Sequence, residues 1–239
     1  MADYYVYGKN AVRECIRSRD SKHVYARRRL ENDPLIKLAT DFGVPVSYVE
    51  DRDLDKLAGN GHHQGIVAQA HLPELVPLRR LLDIGKQKKY PLVLILDGIE
   101  DPANLGAILR SCDAFGVDGV IIRNKGNVPL NSTVAKVSTG AVHHVPVCGV
   151  GNLSQAISEL KDAGYWIVAS DGEAKLELDE VDYKTPIALI VGSEGFGVSN
   201  LVLKRSDFIV KIPMVGHVNS LNASVASGIL ISHIFLSRK

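Results

Sequence analysis

The stretch IALIVGSEGFGVSN, from Ile187 to Asn200, joins a run of apolar residues directly to a glycine-rich turn. The apolar run predicts a strand in the core of a sheet. Glycine-rich turns after such strands usually bind phosphate, because a backbone without Cβ atoms can approach the ligand closely. This turn, however, carries a carboxylate, Glu194, which would repel phosphate. The stretch therefore raises the question of which ligand suits a carboxylate in this position.

The glycine spacing in this turn differs from the two common nucleotide-binding patterns. It is G-x-x-G-x-G rather than the dinucleotide spacing G-x-G-x-x-G, and it lacks the Lys-Ser/Thr ending of a P-loop. A second interpretation is a tight connection that uses positive φ at Gly195 and Gly197, with Glu194 as a helix N-terminal charge. Both interpretations stay open on these residues alone.

Other apolar runs of the same form occur in the second part of the chain. LVLILD (Leu92 to Asp97), GVIIR and WIVAS are each followed by a turn and a helix-like segment. Such alternation is typical of a parallel sheet with helices on both faces, and ligands bind at the carboxyl ends of its strands. Three polar segments lie at these ends: DGIEDPANLG, SDGE and GSEGFG. The sequence therefore predicts an α/β fold with a site at this edge.

The chain before residue 91 has a different organisation. GKNAVRECIRS has apolar residues at helical spacing, and DPLIKLATDFG opens with Asp33 as a possible N-cap before Pro34. With the strand-like runs VPVSYVE and GIVAQAHL, residues 1–72 predict a small α/β domain. Next comes PELVPLRRLLDIGKQKKYP, which starts and ends with proline and is rich in charge. Residues 73–90 of this segment predict a linker with a short helix. Residues 91–239 then form the second domain.

The composition, 46% hydrophobic and 23% charged, is that of a globular protein. There is no run of about 18 apolar residues that would predict a transmembrane helix. The start, MADYYVYGKNAVREC, lacks the apolar core of a signal peptide. Cys15, Cys112 and Cys148 lie far apart without a CxxC pattern, so they predict neither a disulfide framework nor a zinc site. We therefore expect a reducing, cytoplasmic setting and no membrane partner.

Two adjacent histidine pairs, His62–His63 and His143–His144, are the remaining candidates for a metal site. Neighbouring residues on a strand point to opposite faces, so a shared metal is not expected. Neither a Ser-His-Asp order nor an HExxH pattern is present. The sequence predicts no metal site.

The charge is distributed unevenly along the chain. Residues 1–90 hold 16 Lys and Arg against 12 Asp and Glu, whereas residues 91–239 hold 12 against 15. The basic residues are densest in the first 29 positions, which end in Arg27 to Arg29. A basic front end is what binding to a polyanion such as RNA needs. The alternative is a solvated helical face whose charges serve solubility.

The segment DPANLGAILRSCDAFG follows the strand LVLILD and has a helix-start signal, Asp101 before Pro102. Asn104 is an alternative N-cap. Arg110 falls away from the apolar stripe of this helix. In isolation it would be an ordinary surface arginine, but a helix that begins at the carboxyl end of a strand makes Arg110 a candidate functional residue.

The segment IPMVGHVNSLNASVASGIL, from Ile212 to Leu230, predicts a short strand, a polar loop and a helix. Ser220 and Asn222 lie where the helix begins, and free N–H groups at a helix start suit an anionic group. The alternative is that Asn222 is a plain N-cap, worth about 1 kcal/mol. The segment NSTVAKVSTGAVHHVPV, residues 131–147, has small and hydroxyl residues that could line a site or an interface.

In this order, the segments resemble the three motifs of the SpoU/TrmH (SPOUT) family of RNA ribose 2′-O-methyltransferases. The first motif is DGIEDPANLGAILRSCDAFGVDGVII, the second is LIVGSEGFGVS, and the third is IPMVGHVNSLNASVASGI. The match covers about residues 92–237. YYVYGKNAVREC and HHQGIVA resemble the small ribosomal-protein-like RNA-binding domain of the RlmB-like subgroup, which methylates a guanosine ribose in 23S ribosomal RNA.

The resemblance implies an α/β fold whose C-terminal part is threaded as a trefoil knot, and it implies a homodimer. It also implies S-adenosylmethionine as methyl donor. This cofactor has a sulfonium cation and no phosphate, which would answer the question raised by Glu194. The backbone contacts of the cofactor map onto Gly192, Ile212 and Leu221, and Ser170 and Met214 are predicted to join them.

The catalytic arginine of the family corresponds to Arg110. Asn104, Ser220 and Asn222 would position the ribose and hold the loops, and Glu194 would organise the site by orienting Arg110 or Asn222. Four alternatives stay open: a tRNA ribose 2′-O-methyltransferase, a base methyltransferase of related fold, a knotted RNA-binding module without catalysis, and a nucleotide-binding oxidoreductase.

Overall fold

The computed structural model describes residues 3–59, 61–217 and 220–239 of the 239-residue chain. These residues form two compact units. The first unit contains the described residues up to Pro73 together with Leu130–His144. The second contains Glu74–Pro129 and the described residues from Val145 onwards.

The strands and helices alternate along most of the described chain. The strands are β1 (Asp3–Tyr7), β2 (Ser21–Ala26), β3 (Val46–Tyr48), β4 (Ile66–His71), β5 (Leu92–Asp97), β6 (Gly119–Arg123), β7 (Val147–Val150), β8 (Trp166–Ser170), β9 (Leu176–Glu177), β10 (Ile187–Gly192) and β11 (Phe208–Lys211). The α-helices are α1 (Lys9–Arg17), α2 (Pro34–Asp41), α3 (Asp51–Ala58), α4 (Leu78–Gly85), α5 (Pro102–Ala114), α6 (Ser132–Val137), α7 (Leu153–Asp162), α8 (Asn200–Leu203) and α9 (Ala223–Ser237).

The first unit is built on a four-stranded sheet in the order β1-β4-β2-β3. Strand β4 pairs antiparallel with β1 and β2, and β3 pairs parallel with β2. Helix α2 begins as predicted, because the Asp33 carboxylate accepts a hydrogen bond of 3.0 Å from the Leu35 N–H and Pro34 fills the first helical position. This unit is therefore a mixed α/β structure.

The second unit is built on seven described strands, all parallel, in the order β7-β6-β5-β10-β8-β11-β9. Val93 and Ile95 of β5 pack with Leu81 of α4 and with Ile157 of α7 in one apolar core. Helices α5 and α9 pack against each other, and α9 also contacts β10. Because helices cover the central strands, the residues of β5 are buried along its whole length. The predicted parallel α/β sheet is confirmed.

The register of the parallel strands brings their carboxyl ends to one edge. Asp97 pairs with Gly192, and Ser170 pairs with Val210. The polar segments that follow β5, β8 and β10 therefore begin at the same edge of the sheet, as the sequence predicts for a ligand site.

Residues 73–90, interpreted from the sequence as a linker with a short helix, carry helix α4. Leu78 and Leu81 are buried in the core of the second unit, and Val76 forms a β-bridge with Cys148. The segment therefore packs as part of that unit, because its leucines lie at helical spacing on one face. The predicted helix is present, and the proposed domain boundaries stay a prediction.

Residues 130–144 fall within the predicted second domain, 91–239, but pack with the first unit. His143 Nε2 lies 2.7 Å from the Tyr4 hydroxyl, and His143 Nδ1 lies 2.5 Å from the Asp20 carboxylate. The Lys136 ammonium lies 4.9 Å from the centre of the Tyr7 ring. Contacts between residues so far apart in the chain leave no periodic pattern in the sequence.

Cys15, Cys112 and Cys148 are all buried and free. Burial raises the pKa of the Cys148 thiol to about 11, so this thiol is not a reactive thiolate at neutral pH. Within the described residues, no three His, Cys, Asp or Glu side chains are grouped so that they could hold a metal ion. No helix among the same residues is long and apolar enough to span a bilayer.

Candidate active site

Two cavities lie at the carboxyl edge of the second unit's sheet, on either side of the turn that follows β10. The first cavity, of about 300 Å³, is bounded by Ser170, Asp171, Gly192, Ile212, Met214 and Leu221. The second cavity, of about 420 Å³, is bounded by Asp97, Glu100, Asn104, Arg123, Gly126 and Ser199. Both cavities share a wall formed by Ser193, Glu194, Phe196, Gly197 and Ala223.

All five residues predicted to bind a cofactor line the first cavity. They are Ser170, Gly192, Ile212, Met214 and Leu221. Three loops supply them: the ends of β8 and β10 and the chain that leads from β11 into α9. The structure therefore brings the predicted set together, and its role in binding stays a prediction.

The charges around the first cavity favour a cationic ligand. Asp171, Glu173 and Glu194 contribute carboxylates, whereas the described lining residues include neither Lys nor Arg. A phosphate would meet three like charges there, and a sulfonium would meet opposite charges. Ile212 and Met214 supply apolar surface of the kind that small-molecule sites use. These residues fit S-adenosylmethionine better than they fit a nucleotide phosphate.

The turn after β10 closes so tightly that Gly192 has no room for a side chain. A Cβ atom there would lie 2.0 Å from the Gly197 carbonyl carbon, and Ser193 and Gly197 exchange backbone hydrogen bonds of 3.2 and 2.9 Å. Gly197 has a φ of +64°. Gly195 is not among the glycines with positive φ and has open space around it, so the expectation of positive φ was wrong for Gly195.

Glu194 is the centre of a hydrogen-bonded group with two asparagines. Its Oε1 atom accepts a bond of 3.0 Å from Asn104 Nδ2 and one from Asn222 Nδ2, and Asn222 Nδ2 also lies 3.0 Å from Asn104 Oδ1. The Ala223 N–H, at the start of α9, lies 3.3 Å from the same Glu194 oxygen. We call Asn104, Glu194 and Asn222 the polar triad. It ties the first turn of α5 and the turn after β10 to the start of α9.

Asn222 combines the two roles that the sequence left open. Its Oδ1 atom accepts hydrogen bonds of 2.9 and 3.3 Å from the N–H groups of Ser224 and Val225, so it is the N-cap of α9. Its Nδ2 atom faces Glu194 and Asn104. The N-cap of α5 is Asp101 rather than Asn104, because the Asp101 carboxylate accepts a bond of 3.0 Å from the Ala103 N–H. Asn104 is thereby available to the polar triad.

Ser220 and Arg110, the other two predicted catalytic residues, differ in their position relative to the cavities. Ser220 lines the first cavity. Arg110 is exposed on α5, lies outside the lining of both cavities, and forms no ion pair with the described part of the chain. Glu194 is hydrogen-bonded to Asn222 and has no described contact with Arg110. The predicted role of Glu194 in organising the site stays a prediction.

An ion pair in the second cavity was missed by the sequence analysis. Arg123 Nη2 lies 3.0 Å from Asp97 Oδ1, and the Asp97 side chain is only 3% exposed. The other Asp97 oxygen accepts a bond of 3.0 Å from the Ser199 N–H. Asp97 and Arg123 are the last residues of β5 and β6, so their position at the ends of LVLILD and GVIIR was the available signal.

Two family models match the chain. The model described as the SpoU rRNA Methylase family matches residues 91–232. The chain belongs to the SpoU methylase family. The predicted resemblance is therefore confirmed, and the chain is an S-adenosylmethionine-dependent RNA methyltransferase of this family. A second model, described as RNA 2′-O ribose methyltransferase substrate binding, matches residues 5–76.

Related SpoU methylases cover the whole chain. A Bacillus subtilis protein named as a TrmH family tRNA/rRNA methyltransferase, YacO, is 42% identical over 241 residues, which are 98% of this chain and 96% of that protein. A protein of Staphylococcus aureus strain COL with the same family name is 43% identical over 243 residues, which are 100% of this chain and 98% of that protein.

Solved SpoU structures have the same fold. AviRb from Streptomyces viridochromogenes, in complex with the cofactor AdoMet, aligns with a TM-score of 0.81 at 22% identity over 99% of this chain and 90% of that chain. A structure described as an RNA 2′-O ribose methyltransferase aligns with a TM-score of 0.78 at 26% identity over 99% and 88%. The TrmH/SpoU tRNA modifying enzyme of A. aeolicus aligns with a TM-score of 0.58 at 32% identity over 67% and 82%.

Proposed function

We propose that this chain methylates the 2′-oxygen of a guanosine ribose in large-subunit ribosomal RNA. The observation that carries the proposal is the polar triad, in which Glu194 belongs to the wall shared by the two cavities and is hydrogen-bonded to Asn104 and Asn222. A donor in one cavity and an acceptor in the other would meet at this wall. Alignment of two reactants is the main requirement of a methyl displacement.

The first cavity is the proposed site of S-adenosylmethionine. When bound, this cofactor supplies an electrophilic methyl carbon attached to a sulfonium. Ile212, Met214 and Leu221 would surround its apolar parts, and the tight turn at Gly192 lets backbone groups approach it closely. Asp171 and Glu173 would stand near its positive charges.

The polar triad is proposed to position the ribose. Glu194 holds the side-chain amides of Asn104 and Asn222 through its Oε1 atom, so neither amide is free to rotate without losing a hydrogen bond. Fixed amide groups can orient a ribose hydroxyl at low entropic cost. Ser220, on the loop before α9, is proposed to hold the same ribose from the first cavity's side.

Arg110 is proposed to stabilise the negative charge that develops on the 2′-oxygen and to hold an adjacent phosphate. A guanidinium keeps its proton at neutral pH and is a poor general base. The hydroxyl proton is therefore proposed to leave to the phosphate or to water. The five donors of the guanidinium suit contact with two oxygens at once.

A homodimer is part of the proposal, and helix α9 supports it. Val225, Ile229 and Leu236 are 49%, 38% and 59% exposed on a helix that is apolar on all sides. Such a helix is normally buried. Helix α5, which carries Arg110, packs against α9. A second copy of the chain on this face would cover α9 and place its own residues beside Arg110.

Two observations support RNA, and ribosomal RNA in particular, as the substrate. The substrate-binding family model matches the front of the chain, whose first 29 residues hold the densest group of basic side chains. The description of the family model that matches residues 91–232 names rRNA methylases, and the A. aeolicus tRNA modifying enzyme aligns with 67% of this chain. A tRNA substrate is the second candidate, because the relatives are named tRNA/rRNA methyltransferases.

The trefoil knot and the cytoplasmic location also belong to the proposal. Family membership supports the knot. The three free cysteines, each buried without a disulfide, are compatible with a reducing compartment.

The test is methyl transfer from labelled S-adenosylmethionine to ribosomal RNA and to tRNA from cells that lack this protein. We expect label in large-subunit RNA, and nuclease digestion followed by mass spectrometry should place it in 2′-O-methylguanosine. Label in tRNA alone would select the second candidate. Label on a base atom, or none on either RNA, would refute ribose methylation.

A further inference from the structure

The second cavity contains groups that the proposed mechanism does not use. Of its lining residues, Asn104 and Glu194 belong to the polar triad and Asp101 caps α5. Three chemically distinct groups remain at its border: the guanidinium of Arg123, the carboxylate of Glu100 and the ring of Phe196. The cavity shares its wall with the proposed cofactor site, so a ligand in it would lie beside the methyl donor.

The guanidinium of Arg123 is held in one position while part of it stays accessible. Asp97 binds its Nη2 atom at 3.0 Å, and the side chain remains 38% exposed. Gly126, with a φ of +84°, packs beside the same group, since a Cβ there would lie 3.4 Å from Arg123 Nη2. Asp97 and Gly126 therefore fix the guanidinium on one side, and the exposed part of the side chain borders the cavity.

Glu100 and Phe196 provide complementary kinds of contact. Glu100 is exposed at the border of the cavity and forms no ion pair or hydrogen bond with the described residues. Phe196 is 97% exposed at the tip of the turn that separates the two cavities. An aromatic ring so exposed is unusual on a protein surface and is the group on which proteins stack an unpaired base.

We infer that the second cavity binds the base of the target nucleotide and selects guanine, with Phe196 stacking on the base and with Arg123 and Glu100 contacting its edges. A guanidinium donates two hydrogen bonds to O6 and N7 of guanine. A carboxylate accepts from N1–H and N2–H₂ on the neighbouring edge, which are donors in guanine. This inference names the specificity residues of the proposed function and therefore rests on it.

Arg123 and Glu100 together would also select against adenine in the second cavity. The 6-amino group of adenine would face the Arg123 donors, and the unprotonated N1 would face the Glu100 carboxylate. Each contact then places donor against donor or acceptor against acceptor, which is the repulsive element that specificity needs. Inosine, which lacks the 2-amino group, would keep the Arg123 contacts and lose one of the two bonds to Glu100.

The inference is tested first by binding. The full chain, with its cofactor cavity saturated by S-adenosylhomocysteine, is titrated with GMP, IMP and AMP by ligand-observed NMR. We expect GMP to bind at least about tenfold more tightly than AMP, with IMP between them. Glu100→Gln should lower the affinity for GMP about fivefold and the affinity for IMP by less, because only guanine offers two donors to the carboxylate.

Two further variants separate the contacts. Phe196→Leu should lower the affinities for GMP and AMP by the same factor, because stacking does not depend on the hydrogen-bonding groups of the base edge. Glu74→Gln, an exposed carboxylate outside both cavities, should leave all three affinities unchanged. Equal binding of GMP and AMP by the wild-type chain, or equal effects of Glu100→Gln on GMP and IMP, would overturn the inference.

The second readout is methylation of transcripts that carry guanosine, inosine or adenosine at the mapped target position. We expect Glu100→Gln to reduce the preference for guanosine over inosine at least fivefold, in parallel with binding. Ribose methylation without base selectivity would overturn the base site and leave the proposed function intact. Selective binding of GMP by a protein that does not methylate RNA would overturn the proposed function and retain the base site.

Discussion

The carboxylate of Glu194 accepts a hydrogen bond of 3.0 Å from the side-chain amide of Asn104, which lies 90 residues earlier in the chain. The bond is possible because β5 and β10 are parallel neighbours in register, so the loops that follow them leave the sheet side by side. Asn222, from the start of α9, completes the polar triad. A carboxylate in a glycine-rich turn thus serves as a support for two amides, beside a cavity whose other charges are also negative.

Gly192→Ala should disrupt the first cavity while leaving the sheet intact. The added Cβ would lie 2.0 Å from the Gly197 backbone, so the turn must move. We expect the affinity for S-adenosylmethionine to fall at least tenfold and the stability to fall by about 1–3 kcal/mol. Calorimetry of cofactor binding and denaturant unfolding measure the two effects.

The control for this substitution lies three residues away. Gly195 has open space around it and lies outside the first cavity's lining, so Gly195→Ala should preserve both cofactor affinity and stability. If the two variants behaved alike, the tight packing of Gly192 against Gly197 would not be the reason for glycine in this turn.

Asn222→Ser should separate the capping role of Asn222 from its role in the polar triad. Serine is a good N-cap, so we expect α9 to keep its start and the stability to change by less than about 0.5 kcal/mol. Serine has no amide to donate to Glu194 and Asn104, so the rate of methyl transfer should fall by about 10²-fold. Single-turnover kinetics and thermal unfolding give the two values.

Asn152→Ser is the matched control, because Asn152 is the N-cap of α7 in the same unit and lies outside both cavities. Its Oδ1 atom accepts a bond of 2.8 Å from the Ser154 N–H. This variant should keep both its stability and its rate. If Asn222→Ser lost rate only in proportion to its loss of stability, Asn222 would serve only as the N-cap of α9.

The sequence predicted much of this architecture because local patterns determine it. LVLIL and IALIV are apolar at every position, which is typical of strands buried on both faces, and both lie in parallel strands of the central sheet. The five predicted cofactor residues meet in one cavity because the carboxyl ends of such strands share an edge. Hydrophobic periodicity and the rules for parallel strands are therefore sufficient to predict the sheet and the edge at which these residues meet.

Other features depend on pairings that no local pattern records. The pairing of Arg123 with Asp97 requires β5 and β6 to be neighbours in register. The packing of residues 130–144 with the first unit depends on single contacts such as His143 with Tyr4. The helix-start signal at Asp101 predicted where α5 begins, but it says nothing of what faces Arg110.

A charge on the exposed face of α9 should prevent formation of the proposed homodimer. Val225 is 49% exposed, and a glutamate there would have to be buried without a partner if a second copy covered the helix. We expect Val225→Glu to be a folded monomer by sedimentation and circular dichroism. Leu201→Glu, on α8 and 60% exposed, is the control and should sediment as the wild-type chain does. A dimer that persists in Val225→Glu would place the interface elsewhere.

Arg110 should be needed for the chemical step and not for cofactor binding. Because Arg110 lies outside the first cavity, Arg110→Ala should leave the affinity for S-adenosylmethionine within about twofold of the wild-type value. The single-turnover rate should fall by about 10²-fold or more, because the developing alkoxide loses its charged partner.

Arg110→Lys tests whether a positive charge at position 110 is sufficient for methyl transfer. Lysine keeps the positive charge but cannot donate two parallel hydrogen bonds, so we expect its rate to stay well below the wild-type rate. Arg79→Lys, on the exposed face of α4, is the control and should retain full activity. If Arg110→Lys kept most of the rate, the proposed bidentate contact with the 2′-oxygen and the phosphate would be wrong, and a single positive charge would account for the role of Arg110.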